Sequence, residues 1–315
     1  MPLDLDVALA LASQQGRAAD FPSRTVTIVV PYAAGGVTDR YTRAVAEHLT
    51  KAWGQSVIIE NRAGGGTLIG TQVVSIAKPD GHTLLATRFG FTSNPVLRRN
   101  LPYARDALRP VALYGANPNL LIISARSSIR SLEDVVRTAK SSEGALKLAS
   151  SGNGSSPHIA AELFAKLVGA SITHLPYRGQ SPAMNDVVSG VADGMFDGLS
   201  AMPLVRDGSL RAIAIASAKR SPLAPDLPTF RELGIDLVFG SWFGVLAPAG
   251  VPDAIVDKIN ADINAALRDP GVRATFDRAG LIPSPGTAAD FGRFLQSETD
   301  RLKALVDGGA KIAFE

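Results

Sequence analysis

With four histidines and no cysteine among its 315 residues, this chain has few side chains able to make or break bonds. A thiolate metal site, a disulfide framework and a cysteine nucleophile are excluded outright. A serine hydrolase would carry its nucleophile on a strained elbow, Gly-x-Ser-x-Gly, and that spacing does not occur. Ser155 and His158 are close in sequence, yet a histidine on the first turn of a helix suits a capping or surface position, and no orienting residue completes the pair. His158 and Glu162 stand four apart on one helix face, as metal ligands can, but without a further His or Cys they fall short of a site; a salt-bridged pair is the simpler reading. Gly64, Gly66 and Gly70 follow a strand and open a helix in the manner of a dinucleotide loop, but the third glycine is displaced by one residue, with Ile69 in its place. Asp193 and Asp197 flank an apolar strand, and Asp197 at its end could accept a hydrogen bond from a ligand or cap a turn. These residues predict no catalytic centre, no metal site and no cofactor.

Backbone groups are the stronger candidates. In Thr25 to Arg40, a β-branched run (Val26 to Val30) ends at Pro31, then Tyr32-Ala33-Ala34-Gly35-Gly36-Val37 leads into a helix with Thr38 and Asp39 as N-cap types. Tyr41, Val45, Leu49 and Trp53 mark that helix's apolar face. Such a loop can bring main-chain N–H groups and a helix N-terminus close to an anion, although an ordinary βα turn would read the same way. The device recurs where the strand Leu146 to Ser150 runs into Ser151-Gly152-Asn153-Gly154-Ser155-Ser156 and a helix from Pro157 to Val168. Two such mouths could close on one ligand. Arg88 follows a third strand, Thr83 to Thr87, at the end of the sheet where open α/β folds place ligands, and Phe89 continues its loop.

The elements that must hold these loops alternate strand and helix, which predicts an α/β fold of parallel sheets with helices on both faces. Asn94-Pro95 reads as a helix cap with Pro at the first helical position, and Ser131 to Asp134 as a capping box. Three helices near the C-terminus, the last with Phe291, Leu295, Leu302 and Leu305 on one side, are expected to return to the first domain. Domain one is therefore expected to be discontinuous, residues 20–120 plus 240–315, with domain two, 121–239, inserted. Residues 1–20 carry a short apolar run, Val7 to Ala12, but Asp4 and Asp6 stand where an export signal has basic residues; an altered export-signal remnant or a disordered extension is expected. The net charge of +3, with basic residues scattered, argues against nucleic acid as a partner. No apolar run approaches the ~20 residues of a bilayer span, so the chain is not expected to be membrane-embedded.

Taken together, several motifs resemble the Bug family, the substrate-binding proteins of tripartite tricarboxylate transporters. They are Val29 to Asp39, Glu60 to Gly66, Pro79 to Leu85, Ala149 to Ser155, His174 to Gly179, Met195-Phe196-Asp197 and Trp242-Phe243-Gly244, in one consistent order. The resemblance implies a periplasmic, two-domain type II binding-protein fold with the ligand in the interdomain cleft, a small carboxylate or an amino or aromatic acid as ligand, and membrane permease subunits as partners of a monomeric receptor. It places ligand contacts on Tyr32, Ala34, Gly35, Gly36, Val37, Thr38 and Asp39, and on Ser151, Gly152, Asn153, Gly154, Ser155 and Ser156. His158 falls beside the second loop, and Tyr177, Arg178 and Asp197 would shape the distal end. The chain departs from the family at Arg88-Phe89-Gly90 and at Gly198, which bears on the ligand class. Binding without catalysis is the expected function; an enzyme on the same fold using His158 or Asp197, or a ligand sensor for a signalling partner, are the alternatives.

Overall fold

The computed structural model describes residues 21–308. Its first sheet is built on β1 (Val26–Val30), which pairs in parallel with β2 (Val57–Asn61) and with β3 (Thr83–Arg88), Ile28 lying opposite Ile59 and Leu84. β4 (Leu108–Pro118), β10 (Gly240–Pro248) and the short β11 (Ile282–Pro283) complete the order β11-β4-β10-β3-β1-β2. The second sheet comprises β5 (Leu120–Ser124), β6 (Lys147–Ser150), β7 (Thr173–Pro176), β8 (Gly194–Asp197) and β9 (Leu210–Ile215), in the order β7-β6-β8-β5-β9.

Both sheets are mixed, which corrects the expectation of purely parallel ones. The reason is the route of the chain between them. β4 ends at Pro118 and β10 begins opposite it, Gly240 facing Pro118, so the returning strand runs antiparallel to β4 and, on its other edge, to β3. β5 likewise starts at the crossing and runs antiparallel to β8 and β9. The crossing segments are tied by main-chain bonds: Asn119 N–H donates to Phe239 O (3.0 Å), Ala216 N–H to Asn119 O (2.6 Å) and Phe239 N–H to Ala216 O (2.9 Å).

Helices cover the sheets as the apolar periodicity requires. In α1 (Val37–Trp53), Tyr41, Val45 and Leu49 are fully buried, and the helix stops at Gly54 in the left-handed region. The cap is Gly36, with Thr38 and Asp39 inside the first turn. α2 (Leu68–Ser75) follows β2, and α3 (Gly90–Leu97) begins four residues before the expected cap, with Pro95 inside it. Asn94 instead donates its side-chain N–H to Gly66 O and Thr67 Oγ1, both at 3.0 Å. α4 (Leu132–Ser141) opens with the capping box between Ser131 and Asp134. α5 (Ser156–Val168), α6 (Gln180–Ser189) and the short α7 (Met202–Arg206) belong to the second sheet's layers. α8 (Asp253–Ala266), α9 (Pro270–Arg278) and α10 (Ala288–Asp307) return to the first; Phe291, Leu295, Leu302 and Leu305 of α10 are buried, Phe291 edge-on to Trp242 at 5.5 Å. Among the described residues, no helix is long and apolar enough to cross a membrane.

Candidate ligand-binding site

β3 ends at Arg88, β6 at Ser150 and β8 at Asp197, and the residues at or after these ends meet between the sheets. Two adjoining cavities that share part of their lining open there. Arg88, Ser151, Ser156 and Ser241 line both. Arg88 is half-buried, with its guanidinium carbon 4.6 Å from the centre of the Tyr32 ring, and it makes no ion pair among the described residues. Burial raises the Tyr32 pKa, against the opposing charge of Arg88, so the phenol stays protonated. Its hydroxyl is buried and has no hydrogen-bond partner among the described residues.

Two residues from the inner strand ends set the polarity of the first cavity. Asn119, 3% exposed at the crossing between β4 and β5, accepts from Ser156 Oγ at 3.1 Å through Oδ1, while its Nδ2 has no partner among the described residues. Asp197, 7% exposed, accepts from Gln180 Nε2 at 2.7 Å. Burial pushes its carboxyl up to about 6, against the Gly198 N–H, Gln180 and Arg88, all of which favour the charged form. A buried polar group without a partner is costly, so Asn119 Nδ2, Tyr32 Oη and Ser241 Oγ around one cleft are what a polar ligand would satisfy.

This cleft between two mixed α/β lobes has relatives. The family model for the tripartite tricarboxylate transporter family receptor, TctC, matches residues 41–309. The chain belongs to this family. It is 34% identical to the protein BugT of Bordetella pertussis, over 93% of this chain and 91% of that one, and 34% identical to a protein encoded in the tcbD-tcbE intergenic region of Pseudomonas sp. strain P51, over 95% and 91%. Among solved structures, Rhodopseudomonas palustris Rpa4515 with adipate superposes with a TM-score of 0.86 at 32% identity, covering 93% of this chain and 99% of that one. MatC of the same organism, with bound malate, gives 0.82 at 34%, covering 91% and 100%. The fold is thus that of the type II periplasmic binding proteins.

Within this receptor framework the sequence-expected residues divide into two groups. Tyr32, Val37, Arg88, Phe89, Ser151, Asn153, Gly154, Ser155, Ser156 and Asp197 line the cavities. Ala34, Gly35, Gly36, Thr38, Asp39 and Gly152 do not. The Gly35 N–H is already used, donating to Asp39 Oδ2 at 2.9 Å, and the same carboxylate binds Arg43 Nε (2.9 Å) and Asn61 Nδ2 (3.0 Å). The first loop therefore presents Tyr32 and Val37 from a locked turn.

The second loop is a hydrogen-bonded basket. Ser155 Oγ donates to Gly152 O at 2.6 Å, and the Gly154 N–H donates to His158 Nδ1 at 3.0 Å. His158 lines neither cavity; it is buried with its ring stacked on His174, centroids 3.7 Å apart, and Ser150 Oγ lies 2.7 Å from His174 Nε2. Burial, then His174, pushes His158 down to about 3, and burial pushes His174 to about 4. Both rings are neutral near pH 7, so His158 and Glu162, 3.9 Å apart, are not the expected salt bridge. Tyr177 and Arg178 also lie off the cavities: the Tyr177 hydroxyl donates to Asp186 at 2.5 Å, and Arg178 is exposed. At Gly198 a Cβ would stand 2.3 Å from Asn117 Nδ2, so Asn117 fills the space that a side chain at 198 would take.

Sequence reasoning missed Asn117, Asn119, Gln180, Ser241 and, in the second cavity, Asn94 and Arg98. Only Asn119 carried a signal, a lone amide wedged between Pro118 and an unbroken apolar run.

Proposed function

We propose that this chain is an extracytoplasmic solute receptor that binds one small organic carboxylate between its lobes and passes it to the permease subunits of a tripartite tricarboxylate transporter. The observation that carries this reading is the cleft lined by Arg88, which has no ion pair among the described residues, and by the unsatisfied donors Tyr32, Asn119 and Ser241. The adipate and malate held by Rpa4515 and MatC support a carboxylate as the ligand class. The receptor works as a monomer in the periplasm, with residues 21–120 plus 240–308 as one lobe and 121–239 as the other, and the hydrogen-bonded crossings at Asn119, Ala216 and Phe239 as hinge.

A second reading, an enzyme on this fold, draws on Asp197, whose carboxyl near 6 is poised as a base. Among the described residues no serine hydroxyl is hydrogen-bonded to it, Ser200 meeting it only through the shared Gln180 Nε2, and His158 is too weak a base at about 3 to serve. A thermal-shift screen of small carboxylates decides first whether the receptor binds: an acid at 100 times its dissociation constant stabilises the fold by about 2.7 kcal/mol. Prolonged incubation of the hit decides between the readings, because product formation lost in Asp197→Asn would establish the enzyme.

A further inference from the structure

The cleft is electrically lopsided, and from this we infer that the ligand is an acid whose far end carries a hydrogen-bond donor, ammonium or hydroxyl, set against Asp197. The inference rests on the carboxylate-receptor reading and specifies its ligand. The cavity on the Tyr32 side is lined by the Arg88 guanidinium and by the unsatisfied Tyr32 hydroxyl, with no carboxylate among its described lining residues. This compartment suits an anion.

The adjoining cavity has the opposite character at its far wall. Among the described residues, Asp197 is the one carboxylate lining it, and Arg88, at the boundary, is its one cation. The Asp197 side chain cannot turn away: it is 7% exposed, Gln180 holds Oδ2, its strand is in register with Leu120 of β5, and Asn117 packs against the Gly198 that follows. A ligand spanning the two compartments places its carboxylate by Arg88 and brings its other end to Asp197. A second carboxylate there would face a buried like charge, whereas an ammonium or hydroxyl would supply the donor that a carboxylate with spare lone pairs accepts. Repulsion of the wrong ligand adds to attraction of the right one.

The test compares matched acids on the full-length protein by calorimetry at pH 7.5. At four, five and six carbons, each set comprises the α,ω-dicarboxylate, the ω-hydroxy acid, the ω-amino acid and the plain monocarboxylate. At the best-fitting length, a donor-ended acid should bind at least tenfold tighter than its dicarboxylate. The ammonium and hydroxyl arms identify the donor. In Asp197→Asn, checked for a native unfolding transition, the ratio should fall at least tenfold, with the dicarboxylate gaining affinity. Tighter dicarboxylate binding to the wild-type protein, or a ratio unchanged by Asp197→Asn, overturns the inference while leaving the receptor reading intact. Failure of every acid to bind overturns both.

Discussion

Replacing Arg88 with methionine separates a ligand-binding role from a structural one, because the free protein gives Arg88 little to lose. Its guanidinium stacks on Tyr32 at 4.6 Å but pairs with no carboxylate among the described residues. A cation–π contact at a half-exposed position is worth roughly 0.5–1 kcal/mol, and methionine keeps most of the apolar stem. The ligand-free protein should therefore change in stability by no more than about 1 kcal/mol. The bound state differs: truncating one side of a buried charge pair costs roughly 2–5 kcal/mol, which is about 30-fold to a few thousand-fold in dissociation constant. Urea unfolding of the free protein and titration calorimetry with the strongest acid from the thermal-shift screen provide the two numbers. Unchanged affinity in a folded Arg88→Met variant would refute the reasoning, as would a loss of stability that matches the loss of affinity.

Acid should destabilise the free protein well above the range where ordinary carboxylates titrate. His158 and His174 are held down at about 3 and 4, so below their unfolded value near 6.5 the unfolded chain takes up protons that the native state refuses, and stability present at pH 7 is lost as pH falls. Asp197, raised to about 6, and Glu298, also raised by burial, oppose them, so the net slope between pH 6 and 4 is at most roughly 1.4 kcal/mol per pH unit, and His158→Gln should lower it by about that amount in urea titrations; a slope unchanged by His158→Gln would contradict the lowered His158 pKa. Asp197→Asn should stabilise the ligand-free protein at pH 7.5 by at most ~3 kcal/mol and have no such effect at pH 4, since only the charged form is disfavoured; equal effects at both pH values would show that the carboxylate carries no burial penalty. Gly70→Ala should cost roughly 1–3 kcal/mol, because its Cβ would meet Pro31 Cβ at 2.8 Å and Arg62 O at 2.9 Å; a neutral result would mean that the first loop yields easily.

Much of the scaffold was legible because the information is local. The run at Val26 to Val30, the spacing of Tyr41, Val45 and Leu49, and the Ser131 to Asp134 capping box each need only a few neighbouring residues. The antiparallel entry of β10 was not, since it depends on where the chain returns from the other lobe more than a hundred residues after β4. Asn94-Pro95 misled because the pattern is good cap chemistry, while tertiary bonds from Asn94 to Gly66 and Thr67 hold the helix one turn further back. In the site, the second loop lines the cavities while the first reaches them only through Tyr32 and Val37: nothing in Gly35-Gly36 reveals that Asp39 has already claimed the Gly35 amide. Gly70, read against a dinucleotide motif, proves to be a close-packing glycine. The amides and hydroxyls at the crossing, Asn119 and Ser241, belong to no motif; only the convergence of strand ends gives them meaning.

Small-angle scattering with and without a saturating acid from the screen is the decisive measurement, because a receptor that holds its ligand between two lobes hinged at Asn119, Ala216 and Phe239 must close on it. The expected result is a smaller radius of gyration and a shorter maximum dimension with ligand, both reverting on dialysis with the acid recovered unaltered. Superimposable profiles at full occupancy, or recovery of a converted acid, would contradict it.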